Sequence, residues 1–175
     1  MEIKKFKMIK DKNSVLVIAA HPDDEVLGCG GTIAKLSKKG VKVNILFISN
    51  GVDSRNQKKT QTKIKILERK KAAKKSSRIL GAKKLSFANL SDNQLDKYPL
   101  LKIIKIVEKY IRKLKPKTIY THYENDLNID HQIVNKAVIT ATRPQKKSSV
   151  KNIFFYEIPS STEWKIDTKS KIFNP

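Results

Sequence analysis

The chain of 175 residues has a single cysteine, Cys29, so neither a disulfide framework nor a cysteine-based zinc finger can be built from it. No apolar run approaches the ~20 residues that a membrane-spanning helix requires. Residues 4–12 are basic, and the apolar run Ser14 to Ala20 that follows gives a faint outline of a secretion signal. That run is only as long as a buried strand, and it leads directly into His21 and its neighbouring carboxylates, so the signal reading is rejected and a reducing, cytoplasmic setting is expected. Acidic residues are also scarce: 16 Asp and Glu face 38 Lys and Arg, for a formal charge of +22. Only five of the basic residues are arginine, the residue suited to bidentate contacts with phosphates and bases. Aromatic residues make up 7% of the chain and are not interleaved with the lysines, so no stacking surface for single strands is indicated. Specific nucleic-acid recognition is therefore not expected, although attraction to an anionic substrate or lipid surface stays open.

What is present is an alternation of short apolar runs with helical periodicity, the pattern of a parallel sheet with crossover helices. Strands are expected at Ser14–Ala20, Lys42–Ser49, Lys84–Ala88, Thr118–Thr121 and Asn152–Ile158. Helices are expected from a Gly-rich turn at Gly28–Gly31 to about Lys39, from Lys58 to Leu80, from Pro99 to Leu114 and from Asp130 to Thr142. The expected architecture is an α/β, Rossmann-like three-layer sandwich with a mainly parallel sheet in the order 3-2-1-4-5. No repeat or low-complexity linker divides the pattern, so residues 1–175 read as one domain. The apolar pair Ile172-Phe173 just before the last residues gives the chain the look of a domain cut short.

The first strand ends in His21-Pro-Asp-Asp-Glu25. Pro22 cannot donate to a strand ladder, so the backbone leaves the sheet there and presents His21 and the carboxylates at the strand's C-terminal end, where open α/β sheets bind ligands. Imidazole and carboxylate suit a catalytic zinc, which takes three protein groups plus water, and a second cluster must complete the set. The fourth strand ends in Tyr120-Thr-His122, and Asn128-Ile-Asp130-His131 opens the next helix. If strands one and four are neighbours, both clusters face one crevice.

The stretch Ala20-His-Pro-Asp-Asp-Glu-Val-Leu-Gly-Cys-Gly-Gly-Thr32 resembles the signature of the PIG-L/LmbE-like zinc de-N-acetylases, and Asp126-Leu-Asn-Ile-Asp-His131 is similar to their second motif. Segments 92–96 and 157–164 also resemble bacterial members associated with surface-sugar synthesis. The resemblance implies one zinc ion per chain held by His21, Asp24 and His131, with Asp23 as the general base. It implies removal of an N-acetyl group from an N-acetylglucosamine-type sugar by a water that the metal activates. Asn128 stands where many members carry a histidine that acts as an acid or stabilises the oxyanion. An amide can donate a hydrogen bond there but not a proton. His122 could compensate as a substrate contact, and Asp130 would orient a metal-bound histidine. Arg55 and Asp92 resemble positions that hold sugar hydroxyls, each weighed evenly against a solvated loop charge, and Glu25 receives no catalytic role. The substrate is expected to be an acetylated amino sugar, with an anionic or lipid-linked form and an oligomeric protein both left open.

Two other readings are weighed. The Gly-rich turn lacks the third glycine of a dinucleotide fingerprint, because Ile33 holds that place, and strand two ends without an acidic residue for a ribose. A basic nucleotide- or nucleic-acid-binding protein without hydrolase activity would bind polyanions in a salt-sensitive way that survives chelation.

Overall fold

The computed structural model describes residues 14–52, 59–144 and 148–164. Five strands form one all-parallel sheet: β1 (Val15–Ala19), β2 (Val43–Ser49), β3 (Lys84–Leu90), β4 (Thr118–His122) and β5 (Asn152–Tyr156). Their order is β3-β2-β1-β4-β5, the order expected. The two most apolar strands, β1 and β2, are buried at every residue and lie next to one another in the middle of the sheet. Such continuous apolar runs are what a strand covered on both faces requires.

Helices α1 (Asp24–Lys38), α2 (Lys59–Ile79), α3 (Leu100–Leu114) and α4 (Ile129–Ala141) provide the outer layers. Alternation along β1 divides the core between them. Leu16 and Ile18 join Ile103, Ile104 and Val107 of α3 and Val134, Ala137 and Val138 of α4. Val15, Val17 and Ala19 point the other way, to Cys29 and Ile33 of α1 and Ala73 of α2. The helices that follow β1 and β4 thus leave on opposite faces, which makes the seam between these two strands the switch point of the fold.

One expectation is corrected. Gly28–Gly31 is not a turn that precedes a helix; it lies inside α1, which begins at Asp24 and is kinked at Cys29 (φ −145°, ψ 23°). Asp24 and Glu25 in the first turn favour a start at that point. Elsewhere the expected elements are found with ends displaced by a residue or two. No helix among the described residues is long and apolar enough to cross a membrane.

Candidate metal centre

Pro22 and Gly51 shape the base of the site. Gly51, after β2, has φ +69°, and a Cβ there would lie 2.9 Å from Pro22 Cδ. The β2 turn therefore closes against the proline only because the residue is glycine. His21 is then held at the end of β1, with its own backbone N–H donating to Asp24 Oδ2 at 2.7 Å.

Three donor atoms converge at the switch point. His21 Nδ1 lies 3.3 Å from Asp24 Oδ2 and 3.3 Å from His131 Nε2, and His131 Nε2 lies 3.4 Å from Asp24 Oδ2. A tetrahedral ion bound to N and O donors at about 2.0–2.1 Å would separate any two of them by about 3.3–3.4 Å. The triangle has the size that zinc needs, and all three residues line an open crevice of about 750 Å³.

Each imidazole is gripped from behind by carboxylates. His21 Nε2 lies 3.0 Å from Asp92 Oδ1 and 3.1 Å from Asp130 Oδ2. His131 Nδ1 lies 3.1 Å from Asp126 Oδ1. This outer hold selects the tautomer that aims the opposite nitrogen at a metal. The charge balance favours a cation in the same way. Burial would lower the proton affinity of His21, but Asp130, Asp24 and Asp92 outweigh it and push its pKa up to about 12. His131 is buried too, and Asp126 and Asp24 still raise it to about 9. Burial works against the Asp24 carboxylate, yet the His131 and His21 imidazoles beside it hold it well below the usual range.

A second group, His21, Asp92 and Asp130, also brings three potential ligands together. It is the poorer candidate. Asp130 is completely buried, and its two oxygens already accept the backbone N–H groups of Asn93 (2.8 Å) and Leu95 (3.0 Å).

Asp23 projects into the same crevice beside the triangle. Burial and the adjacent Asp24 raise its pKa, while Arg69 opposes them. Arg69 Nη1 donates to Asp23 Oδ2 at 2.8 Å, and Nη2 reaches the Gly51 carbonyl at 3.5 Å. Asn128 also lines the crevice. Its side-chain oxygen caps α4 by accepting from Asp130 N at 2.9 Å, so its amide nitrogen is the end left for a ligand.

The remaining expected residues are placed differently from one another. Asp130 does not line the crevice; among the described residues its oxygens meet His21 Nε2 and the backbone N–H groups of Asn93 and Leu95. Asp92 is on the crevice wall but directs one oxygen at His21. Arg55 lies outside the described residues. His122 does not contact the crevice at all: it is fully buried beneath His131, and a ring sealed there cannot touch a substrate. Burial and the neighbouring His131 push its pKa down to about 4, and its Nε2 accepts the Ala20 N–H at 2.9 Å. The ring is therefore neutral, and its 3.4 Å approach to Asp24 is a contact rather than an ion pair.

Sequence reasoning missed two participants. Arg69 is one arginine among the many lysines of α2; the signal is its place one turn before the buried Ala73. Asp126 was quoted in a motif without a role. It is buried, and besides His131 it accepts from Asn128 N (2.8 Å), Ser161 Oγ (2.9 Å) and Thr162 Oγ1 (2.7 Å), tying the segment after β5 to the site.

Glu25 carries a testable pH effect. It is fully buried, and neither carboxylate oxygen reaches a hydrogen-bond partner among the described residues, though the amides of Glu25 and Val26 lie near enough to offset some of the cost. Burial first, then Asp24 and Asp23, push its pKa from 4.5 up to about 8. The folded state keeps a proton that the unfolded chain releases, so this group's contribution is complete below pH 4.5 and is lost as the pH rises to 8. Gln needs no proton, so the stability of Glu25→Gln relative to the parent should grow by on the order of 3 kcal/mol between pH 5 and 8, as read by urea unfolding at both values. A difference that stays flat would show an ionised Glu25.

This arrangement of donors at the switch point of a Rossmann-like sheet makes a candidate metal centre, and comparison with known proteins gives the family. Residues 16–142 match the family model PIG-L, GlcNAc-PI de-N-acetylase, and the chain belongs to this family. It is 27% identical over 155 residues to the uncharacterized deacetylase YaiS of Escherichia coli, covering 86% of this chain and 76% of that protein. It is 32% identical over 139 residues to a probable N-acetyl-alpha-D-glucosaminyl L-malate deacetylase 2 of Bacillus cereus, covering 76% of this chain and 62% of the relative. The solved N,N'-diacetylchitobiose deacetylase of Pyrococcus horikoshii superposes with a TM-score of 0.68 at 27% identity, over 94% of this chain and 58% of that one. The chain thus spans roughly three-fifths to three-quarters of the length of these three relatives.

Proposed function

We propose that the protein is a zinc-dependent hydrolase that removes the N-acetyl group from an N-acetylglucosamine-type sugar or glycoconjugate. The observation that carries this reading is the donor triangle of His21, Asp24 and His131, sized for zinc and open to a crevice that also holds Asp23. Membership of the family and the deacetylase names of the relatives support it.

A zinc ion bound there supplies Lewis acidity, which lowers the pKa of water and polarises an amide carbonyl. The protein's own groups do the rest. The carboxylates of Asp92 and Asp130 hold His21, and that of Asp126 holds His131, so neither imidazole needs to reorient on binding. Asp23, whose burial raises its affinity for a proton, accepts one from the attacking water and returns it to the nitrogen of the departing amine. Arg69 fixes the carboxylate of Asp23 by one oxygen and leaves the other for this transfer. The Asn128 amide nitrogen donates a hydrogen bond towards the acetyl oxygen as its charge grows, which makes it a stabiliser and not an acid.

The test is amine release from N-acetylglucosamine derivatives by protein as purified, after chelation, and after zinc is restored. Release should stop on chelation and return with zinc. Folded protein that takes up zinc and liberates no amine from any acetylated amino sugar would refute the assignment.

A further inference from the structure

Behind the donor triangle stands a column of aromatic rings that the hydrolysis does not use. The His131 ring is stacked on that of His122, with centroids 3.9 Å apart and planes at 15°. His122 meets Tyr156 in turn at 4.9 Å and 59°. The column is pinned from several elements: Ala20 N donates to His122 Nε2 at 2.9 Å, Asn135 Nδ2 donates to the His122 carbonyl at 2.8 Å, and the Tyr156 hydroxyl donates to the Ile18 carbonyl at 3.2 Å. Both inner rings are buried.

Its far end explains a glycine. A Cβ built on Gly28 would lie 2.2 Å from Tyr156 Cδ2 and within 3 Å of two further ring carbons. Tyr156 can occupy this position only where α1 has no side chain.

Asp126 holds His131 by its Nδ1 edge, and the face of the ring rests on His122. A flat ring supports that face over its whole area, whereas a rounded aliphatic chain touches it at a few points only. We propose that the buried column of His122 and Tyr156 is a positioning element that holds the His131 ring in its cation-binding orientation, and that residue 28 is glycine to admit it. This role rests on the metal reading of the site.

Zinc affinity, measured by competition with a chromophoric chelator, tests the proposal in three variants, each checked for wild-type-like melting. His122→Phe and His122→Leu both fill the cavity and both lose the acceptor for Ala20 N, but only Phe keeps a flat ring. The Phe variant should stay close to wild type, and the Leu variant should bind about tenfold or more weakly, the effect expected for lost support of a metal ligand. Gly28→Ala, which changes no donor atom, should also weaken binding, and the visible spectrum of its cobalt-loaded form should differ from wild type. Equal affinities of the Phe and Leu variants beside a tight wild type would overturn the stacking role alone. A Gly28→Ala protein with wild-type affinity and spectrum would overturn the role given to the glycine. Wild-type protein that takes up no zinc would remove the metal reading and this role with it.

Discussion

Alanine in place of Asp24 is expected to cost the protein its metal and with it all turnover above background. Asp24 Oδ2 is the shared corner of the site: it accepts from the His21 backbone, faces His21 Nδ1 at 3.3 Å and faces His131 Nε2 at 3.4 Å. Loss of an outer partner of a metal ligand weakens binding by about 10–100-fold, so loss of the ligand itself should exceed about 100-fold. Zinc content after dialysis against a weak chelator would measure this directly. An Asp24→Ala protein that still holds stoichiometric zinc would show that the ion sits elsewhere, and the His21, Asp92 and Asp130 group would then be the place to look.

Asn in place of Asp23 should have the opposite signature. Asp23 lies beside the donor triangle and is engaged by Arg69, so zinc content should stay at wild-type level. Turnover should fall by about 10²–10⁴-fold, the usual contribution of a positioned general base. The two variants separate holding the ion from moving the proton. Stability should change little in the Asn variant, since the pair with Arg69 is about two-fifths exposed on each side and such pairs contribute about 1 kcal/mol or less. A turnover close to wild type would remove Asp23 from proton transfer.

The sheet could be read from the chain because its signal is local. β1 and β2 are runs with both faces apolar, and Pro22 marks where the first of them must end. The convergence of the His21 and His131 clusters depends on β1 and β4 being neighbours, which the sequence expressed only as a condition. What could not be read depends on parts of the chain that meet only on folding. Gly28 looks like a helix breaker until Tyr156 is seen against it. His122 looks like a ligand-facing residue at a strand end, and only the stacking of His131 over it shows that it points inward. Arg69 was hidden because the rotation of α2 about its axis decides which of its many cations faces the crevice. Asp126 differs from an ordinary loop carboxylate only through partners contributed by α4 and by the segment after β5.

The seam between β1 and β4 has a further consequence for how such a protein can change. Because the two connecting helices diverge to opposite faces there, and the β1–β4 ladder ends at Val17 and Tyr120 although both strands run on, the hollow opens at the end of the seam. The rim joins α2, through Lys65, Glu68 and Arg69, to the segments after β2, β3 and β5. Two of those segments also brace the site, Asp92 against His21 and Ser161 against Asp126, so a change of selectivity made there reaches the groups beneath it as well.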